Sequence, residues 1–368
     1  MSVASKNQVL FVGTYTEHEG SQSKGIYVYR MDPSSGELKF EWEVKGVLNP
    51  SFLDLHPQKD FLYAVNEVGS FAGEEGGGVS AFAVDPGSGE LTLLNAHSSR
   101  GQDPCYISIE QTGRFALVAN YSSGRVAMLP IQPDGGLGPA SDEVQHSGSS
   151  VDPERQTDPH AHCIRPDPTN RFAIATDLGA DKLLVYQMDL EHGKLNKHTE
   201  VRVQPGAGPR HFSFHPNGRY MYLLNELNAT LIVFRYHPDS GNLEEIQTIT
   251  TLPEGYQGRN LSADLHIHGK YLYASNRGHD SLVCFFIDEN TGKLIYRSHT
   301  STGGKEPRNF AIDPGGTFLL AANQNTDNIV VFGIDAESGQ LFRTGHQVEV
   351  SMPVCLKFAV RDRNRGKK

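Results

Sequence analysis

The chain reads as short runs of alternating apolar and polar residues, four to seven long and rich in β-branched and aromatic side chains. Gly, Pro, Asn and Asp break the runs. No stretch sustains an apolar stripe at helical spacing, so the pattern predicts strands throughout. The runs recur as a unit. It opens on Pro, continues through one alternating run and a turn, and closes a second run on Asn. A third run then ends in Asp, followed by Ser/Thr-Gly-x-Leu. Clear copies are PSFLDLHPQKDFLYAVNE from Pro50, PCYISIEQTGRFALVANY from Pro104, PRHFSFHPNGRYMYLLNE from Pro209 and PRNFAIDPGGTFLLAANQ from Pro307. NLSADLHIHGKYLYASNR from Asn260 keeps the register without the Pro. PHAHCIRPDPTNRFAIATD from Pro159 has one extra residue in its turn and Thr176 where the others have Asn. The units repeat every 46 to 55 residues, which suits four short strands with tight turns, the size of one propeller blade.

The two ends set the blade count. QVLFVGTYT followed by GIYVYRMDPSSGEL looks like a unit without its first strand, and PVCLKFAV from Pro353 like a first strand with nothing after it. Joined, they make a seventh unit, and the closed ring loses two exposed sheet edges. The expected architecture is all-β: a single domain over residues 1–368, folded as a seven-bladed β-propeller of four-stranded antiparallel blades. Residues 353–360 complete the first blade.

Charge and composition narrow the function. The 368 residues carry 33 Lys and Arg against 43 Asp and Glu, a net charge of −10, which argues against a nucleic-acid partner. No run of 18 apolar residues occurs, so no membrane span is expected. Met1 to Gln8 is short and polar with no apolar leader core, and a cytoplasmic location is the expectation. The four cysteines, 105, 163, 284 and 355, form no C-x-x-C or C-x-x-C-H pair. Free thiols are expected rather than a zinc site, a disulfide framework or covalent haem. A closed ring needs no partner for its edges, so a monomer is expected.

In a propeller the first strand of each blade lines the central channel. The residues after the repeat Pro are Ser51, Cys105, His160, Arg210, Leu261 and Arg308. Those after the repeat Asn are Glu67, Tyr121, Asp177, Glu226, Arg277 and Gln324, with Tyr15 in the split blade. Structural positions in a repeat should be apolar or uniform. These are polar, charged and different in every blade, which marks a concave mouth as the candidate site. His160 and His162 lie two apart on an expected strand, so both rings could face one way. They could ligate a metal with Asp158 or Asp177, or supply a general base. Arg210 and Glu226 fall at equivalent ends of neighbouring strands. Arg210, Arg277 and Arg308 can converge from three blades, and three guanidinium groups suit a phosphate or a polycarboxylate. Arg155 joins them if the long connection at 140–158 folds over the mouth. His56, His215 and the repeat Asn are expected to be structural. GEEGGG at 73–78 reads as a flexible loop and lacks the Lys-Ser/Thr of a phosphate-binding loop. No G-x-S-x-G elbow occurs.

HSGSSVDPERQTDPHAH (146–162) with the following DLGADKLLVY resembles the signature of the seven-bladed propeller lactonases. So do GAGPRHFSFHPNGRYMYLLNEL (206–227), YLYASNRGHDSL (271–282) and the opening FVGTYT. That family includes propeller-type 6-phosphogluconolactonases and fungal carboxymuconate lactonizing enzymes, and the resemblance spans essentially the whole chain. It implies a catalytic set of His160, Arg210, Glu226 and Arg277, with no metal or other cofactor. The residues alone stop at an anion-binding mouth; lactone chemistry comes from the resemblance. The expected activity is hydrolysis of 6-phosphogluconolactone. Glu226 or His160 would act as base, Arg210 would serve the oxyanion, and Arg277 and Arg308 would hold the phosphate. Asp177, His162, Glu67 and Arg155 are further substrate-binding candidates. The alternatives are an enzyme of carboxylated lactones, including a cycloisomerase, and a non-enzymatic binding propeller. The last would show an apolar or aromatic rim, whereas the one tryptophan, Trp42, lies outside the mouth positions.

Overall fold

A computed structural model describes residues 8–359; the polar segment before Gln8 lies outside the described residues. Seven four-stranded antiparallel sheets form the blades of a propeller, numbered 1 to 7 in chain order from the N-terminus. Their inner strands are Pro353–Phe358 for blade 1, Leu53–Leu55 for blade 2 and Pro104–Ile109 for blade 3. Ala161–Pro166, Pro209–Phe214, Leu261–His268 and Pro307–Ile312 serve blades 4 to 7. The ring closes as the sequence predicts. Gln8–Thr14 pairs with Pro353–Phe358, joining both ends of the chain in blade 1.

The second strands are the driest part of each blade. FALVAN, YMYLLN and FLLAAN are buried at every position, because both faces of each blade pack on neighbouring blades. Tyrosines tie blade to blade. Tyr63, Tyr222 and Tyr273 are fully buried, and each donates its hydroxyl to a glycine carbonyl in a turn of the next blade: Gly135, Gly292 and Gly339 at 2.8–3.0 Å. A buried phenol is thus paired while its ring fills the interblade core.

The repeat Asn residues are structural, as expected. Asn66, Asn120 and Asn276 donate to the backbone carbonyls of Leu48, Ser99 and Thr251. His56 is also structural: its Nδ1 accepts from Gln58 and Lys59 in the hairpin turn. GEEGGG is not a loose loop. Glu74–Glu75 pairs with Ser70–Phe71 in a small ribbon, and a Cβ on Gly77 would collide with the Pro104 ring.

One irregularity recurs and positions the site. In six blades the inner strand shifts register near its start, so one or more residues bulge out of the pairing. Pro104 pairs with Asn120 and Tyr106 with Ala119, leaving Cys105 unpaired. Arg210 and Arg308 are skipped in the same way. A bulge re-aims its side chain, here into the channel. Two blades depart from the spacing read from sequence. In blade 4 it is Ala161, not Pro159, that pairs across, and its partner is Asp177. His162 therefore takes the bulged position and Asp177 the Asn position. In blade 6 Ser262 pairs with Asn276, so Leu261 is not at the channel level assigned to it.

Beneath the bulged layer lies a second layer that plugs the channel. Phe52 stacks on Tyr106 at 4.1 Å, and the edge of His211 meets Tyr106 at 5.0 Å. His211 Nδ1 lies 2.9 Å from Asp264 Oδ1, and Asn309 donates to Asp264 Oδ2 at 2.6 Å. A void of about 10 Å³ is left above this plug.

Candidate active site

The mouth is built around Glu226, which follows the repeat Asn of blade 5 and is 3 % exposed. Its Oε2 accepts from Arg210 Nε at 2.8 Å and forms an ion pair with Arg277 at 3.0 Å; its Oε1 accepts from Arg155 at 2.9 Å. Burial alone would raise this carboxyl. The Arg277 and Arg210 guanidinium groups, with Arg155, instead hold it well below the usual carboxylate range. Glu226 is therefore ionised and a weak base. Arg210 also donates to the Ala263 carbonyl, and Arg277 to the carbonyls of Leu261 and Ser262. Burial lowers the Arg277 guanidinium to about 10.

Arg155 comes from the connection between blades 3 and 4, and that connection does cross the mouth. Gln156, fully buried, pins it: its side chain donates to Leu178 O and accepts from Asp152 N. Arg155 then reaches inward to both Glu226 and the Tyr121 hydroxyl, at 2.9 and 2.8 Å. Its side chain stays 32 % exposed, against 2 % for Arg210, so it is the one guanidinium of the Glu226 cluster in contact with solvent.

The two histidines flank Tyr121. His160 stacks flat on the ring at 4.5 Å and 10°, while His162 meets it edge-on at 5.5 Å. His160 Nδ1 lies 3.0 Å from the Tyr121 carbonyl. A carbonyl only accepts, so Nδ1 carries the proton and Nε2 keeps a free lone pair. His162 is buried, and its Nε2 is 3.9 Å from Glu226. Burial, then Arg210 and His211, push it well below 6.5, so it is neutral. Asp177 does not enter the mouth. It is fully buried and accepts from His160 N and Ala180 N, with His146 Nδ1 at 2.7 Å. It fixes the backbone of His160. Among the described residues no three His, Cys, Asp or Glu side chains gather as metal ligands.

The opposite wall holds Glu67 and Arg308. Glu67 accepts from Tyr15 at 2.9 Å and from Ser51. Burial raises its carboxyl, and Arg308 partly offsets that. Arg308 lies over the Tyr15 ring, 5.3 Å from its centroid, and makes no hydrogen bond or ion pair with any described residue. Four guanidinium groups thus face two carboxylates, and one of the four is unpaired. Repeat spacing found both glutamates and the three arginines Arg210, Arg277 and Arg308; Arg155 was a candidate only through its place on the long connection. The spacing placed Tyr121, the hub of the histidines, at the mouth without a role, and passed over the second-layer residues His211, Asp264 and Asn309. Their signal is a polar residue inside an otherwise apolar inner strand.

A propeller with this mouth belongs to a known class. The family model described as "Lactonase, 7-bladed beta-propeller" matches residues 9–358, and the chain belongs to that family of hydrolases. Among its relatives, the 6-phosphogluconolactonase of Bacillus subtilis (strain 168) is 36% identical over 306 residues, covering 83% of this chain and 84% of that protein. The periplasmic gluconolactonase PpgL of Pseudomonas aeruginosa superposes with a TM-score of 0.91 at 38% identity, over 96% of this chain and 99% of that one. A Lactobacillus plantarum protein gives 0.88 at 31% identity, over 96% and 100%. The protein is a lactonase of this propeller family. The cytoplasmic expectation is withdrawn, because the Pseudomonas relative is periplasmic and the family is not confined to the cytoplasm. No helix among the described residues is long and apolar enough to cross a membrane.

Proposed function

We propose that the protein hydrolyses 6-phosphogluconolactone to 6-phosphogluconate, with the Bacillus relative as its functional counterpart. The observation that carries this reading is the excess of guanidinium in the mouth, and above all the unpaired Arg308. An unpaired guanidinium with five N–H donors matches a phosphate dianion. Arg277 is a poorer phosphate ligand than the sequence suggests, because Glu226 and two carbonyls already occupy it.

In the proposed reaction His160 Nε2 takes a proton from water, whose oxygen bonds to the lactone carbonyl carbon. Arg155, which must turn from Glu226 as the substrate enters, donates to the oxyanion with Arg210. The intermediate collapses by breaking the bond to the ring oxygen. The proton on His160 passes to that oxygen, and the product is an open-chain acid. Glu226 holds the arginines in place and is not the base. The free Nε2 of His160 and the three-fold pairing of Glu226 support that division.

A second reading follows from the Pseudomonas relative, a gluconolactonase: the unphosphorylated lactone enters the same mouth as a competing substrate class. Steady-state kinetics on both lactones, with wild type and Arg308→Met, separate the two. A phosphate anchor at Arg308 predicts a KM for the phosphorylated lactone raised about tenfold or more, with kcat kept. Equal KM values for wild type and variant would leave Arg308 without that role.

A further inference from the structure

The opposite end of the channel holds a chamber of about 480 Å³, separated from the mouth by the plug of Phe52, Tyr106 and His211. Its volume lies in the range of small-molecule sites. None of the four mouth arginines lines it.

The charges in its wall are unevenly satisfied. Asp54 forms an ion pair with Lys357 at 2.6 Å and accepts from Ile109 N at 2.9 Å and Leu55 N at 3.0 Å, which leaves one acceptor site on its carboxylate. Asp264 is surrounded by His211, His266 and Asn309. Asp167 is taken up in its own turn by Thr169, Arg171 N and Phe172 N, with the Tyr236 hydroxyl added. Arg165 differs. Its guanidinium donates one hydrogen bond, to Phe212 O at 3.0 Å, and lies 6.0 Å over the Phe212 ring. No other hydrogen bond or ion pair joins it to a described residue. Four of its five N–H donors are open in a chamber also lined by Ser108, Ser213 and Gln111.

We infer that this chamber binds an open-chain hydroxy acid, its carboxylate forked on Arg165 and its hydroxyls donated to the acidic wall. A bare carboxylate suits the chamber poorly, because Asp54 and Asp264 would repel it. Those same carboxylates retain lone pairs for hydroxyl donors, and a guanidinium meets a carboxylate with two parallel bonds. A polyol without the acid would leave Arg165 open. A ligand carrying both groups answers both walls, and it shares the chemical class of a lactonase product. The assignment rests on the chamber's own residues and stands apart from the substrate proposed for the mouth.

The test is calorimetric titration of the full chain with sodium D-gluconate as probe. Hexanoate serves as the acid without hydroxyls and D-glucose as the polyol without the acid. Wild type should bind gluconate at least about tenfold more tightly than either control. Arg165→Met should weaken gluconate about tenfold or more, and Arg308→Met, in the mouth, should leave it unchanged. Ser213→Leu narrows the chamber from another strand and should give the same loss, so the result holds if Arg165→Met folds poorly. Loss of binding in Arg308→Met with none in Arg165→Met and Ser213→Leu would move the ligand to the mouth and overturn the assignment. So would no binding at millimolar gluconate, or hexanoate binding as tightly as gluconate.

Discussion

Glu226 is the residue whose role the structure changes most. A carboxylate held by three guanidinium groups is a clamp, and removing its charge strands three buried or half-buried cations. Glu226→Gln should therefore lower stability by roughly 3 kcal/mol as well as reduce turnover. A thermal melt of the variant would show this, and an unshifted melting temperature would argue against the clamp. His160→Ala is the cleaner probe of chemistry, because His160 is half-buried and, among the described residues, its ring nitrogens bond only to the Tyr121 carbonyl while the ring stacks on Tyr121. It should cost about 10²-fold or more in kcat with the fold intact. His162→Gln should cost turnover less, since a neutral, buried ring beside arginines is a spacer.

At the scale of elements, the segment 177–180 cradles His160, the proposed base. Asp177 accepts from His160 N, Leu178 N donates to His160 O at 2.9 Å, and Gly179 leaves room for Asp158 O and the His160 ring. A Cβ at Gly179 would collide with that carbonyl. Gly179→Ala should thus lower kcat by about tenfold through displacement of His160, while circular dichroism shows the β-sheet content unchanged. Wild-type turnover in that variant would mean the cradle does not position the ring. The same region shows what sequence could and could not supply. Strand runs, blade count and ring closure were legible because alternation, turn residues and the Pro-to-Asn spacing report them directly. The bulges were not, since counting residues along a strand does not reveal which one leaves the pairing. In blade 4 this put His160 at the bulged position that belongs to His162, and Asp177 one place beyond the Asn position it occupies. Arg155 was visible only as a charge on a long connection; its reach across the mouth depends on Gln156, a tertiary contact.

For the whole molecule, the buried histidines make stability depend on pH. Burial, with Arg210, depresses His211 to about 4, and His162 is likewise held well below 6.5. Between about pH 4 and 6.5 the unfolded chain binds protons there that the folded chain does not, so stability rises with pH across that window. Glu67, whose carboxyl burial raises, acts in the opposite sense above its unfolded value, but it is one group against two. The melting temperature should fall as pH drops from 7.5 to 5, and a flat profile would contradict neutral His162 and His211. The ring closure carries a separate prediction. Ending the chain at Met352 removes the inner strand of blade 1 and exposes the edge of Gln8–Thr14. That truncation should melt well below the full chain or aggregate on size-exclusion chromatography.

The central claim is that this mouth hydrolyses an anionic sugar lactone with His160 as base. A coupled assay tests it most directly. Glucose-6-phosphate dehydrogenase generates the fresh 6-phosphogluconolactone, and 6-phosphogluconate dehydrogenase reads the product, with spontaneous hydrolysis subtracted. The account predicts clear acceleration by the wild-type protein and a loss of about 10²-fold or more in His160→Ala at an unchanged melting temperature. No acceleration by folded protein, or a wild-type rate in His160→Ala, would contradict it.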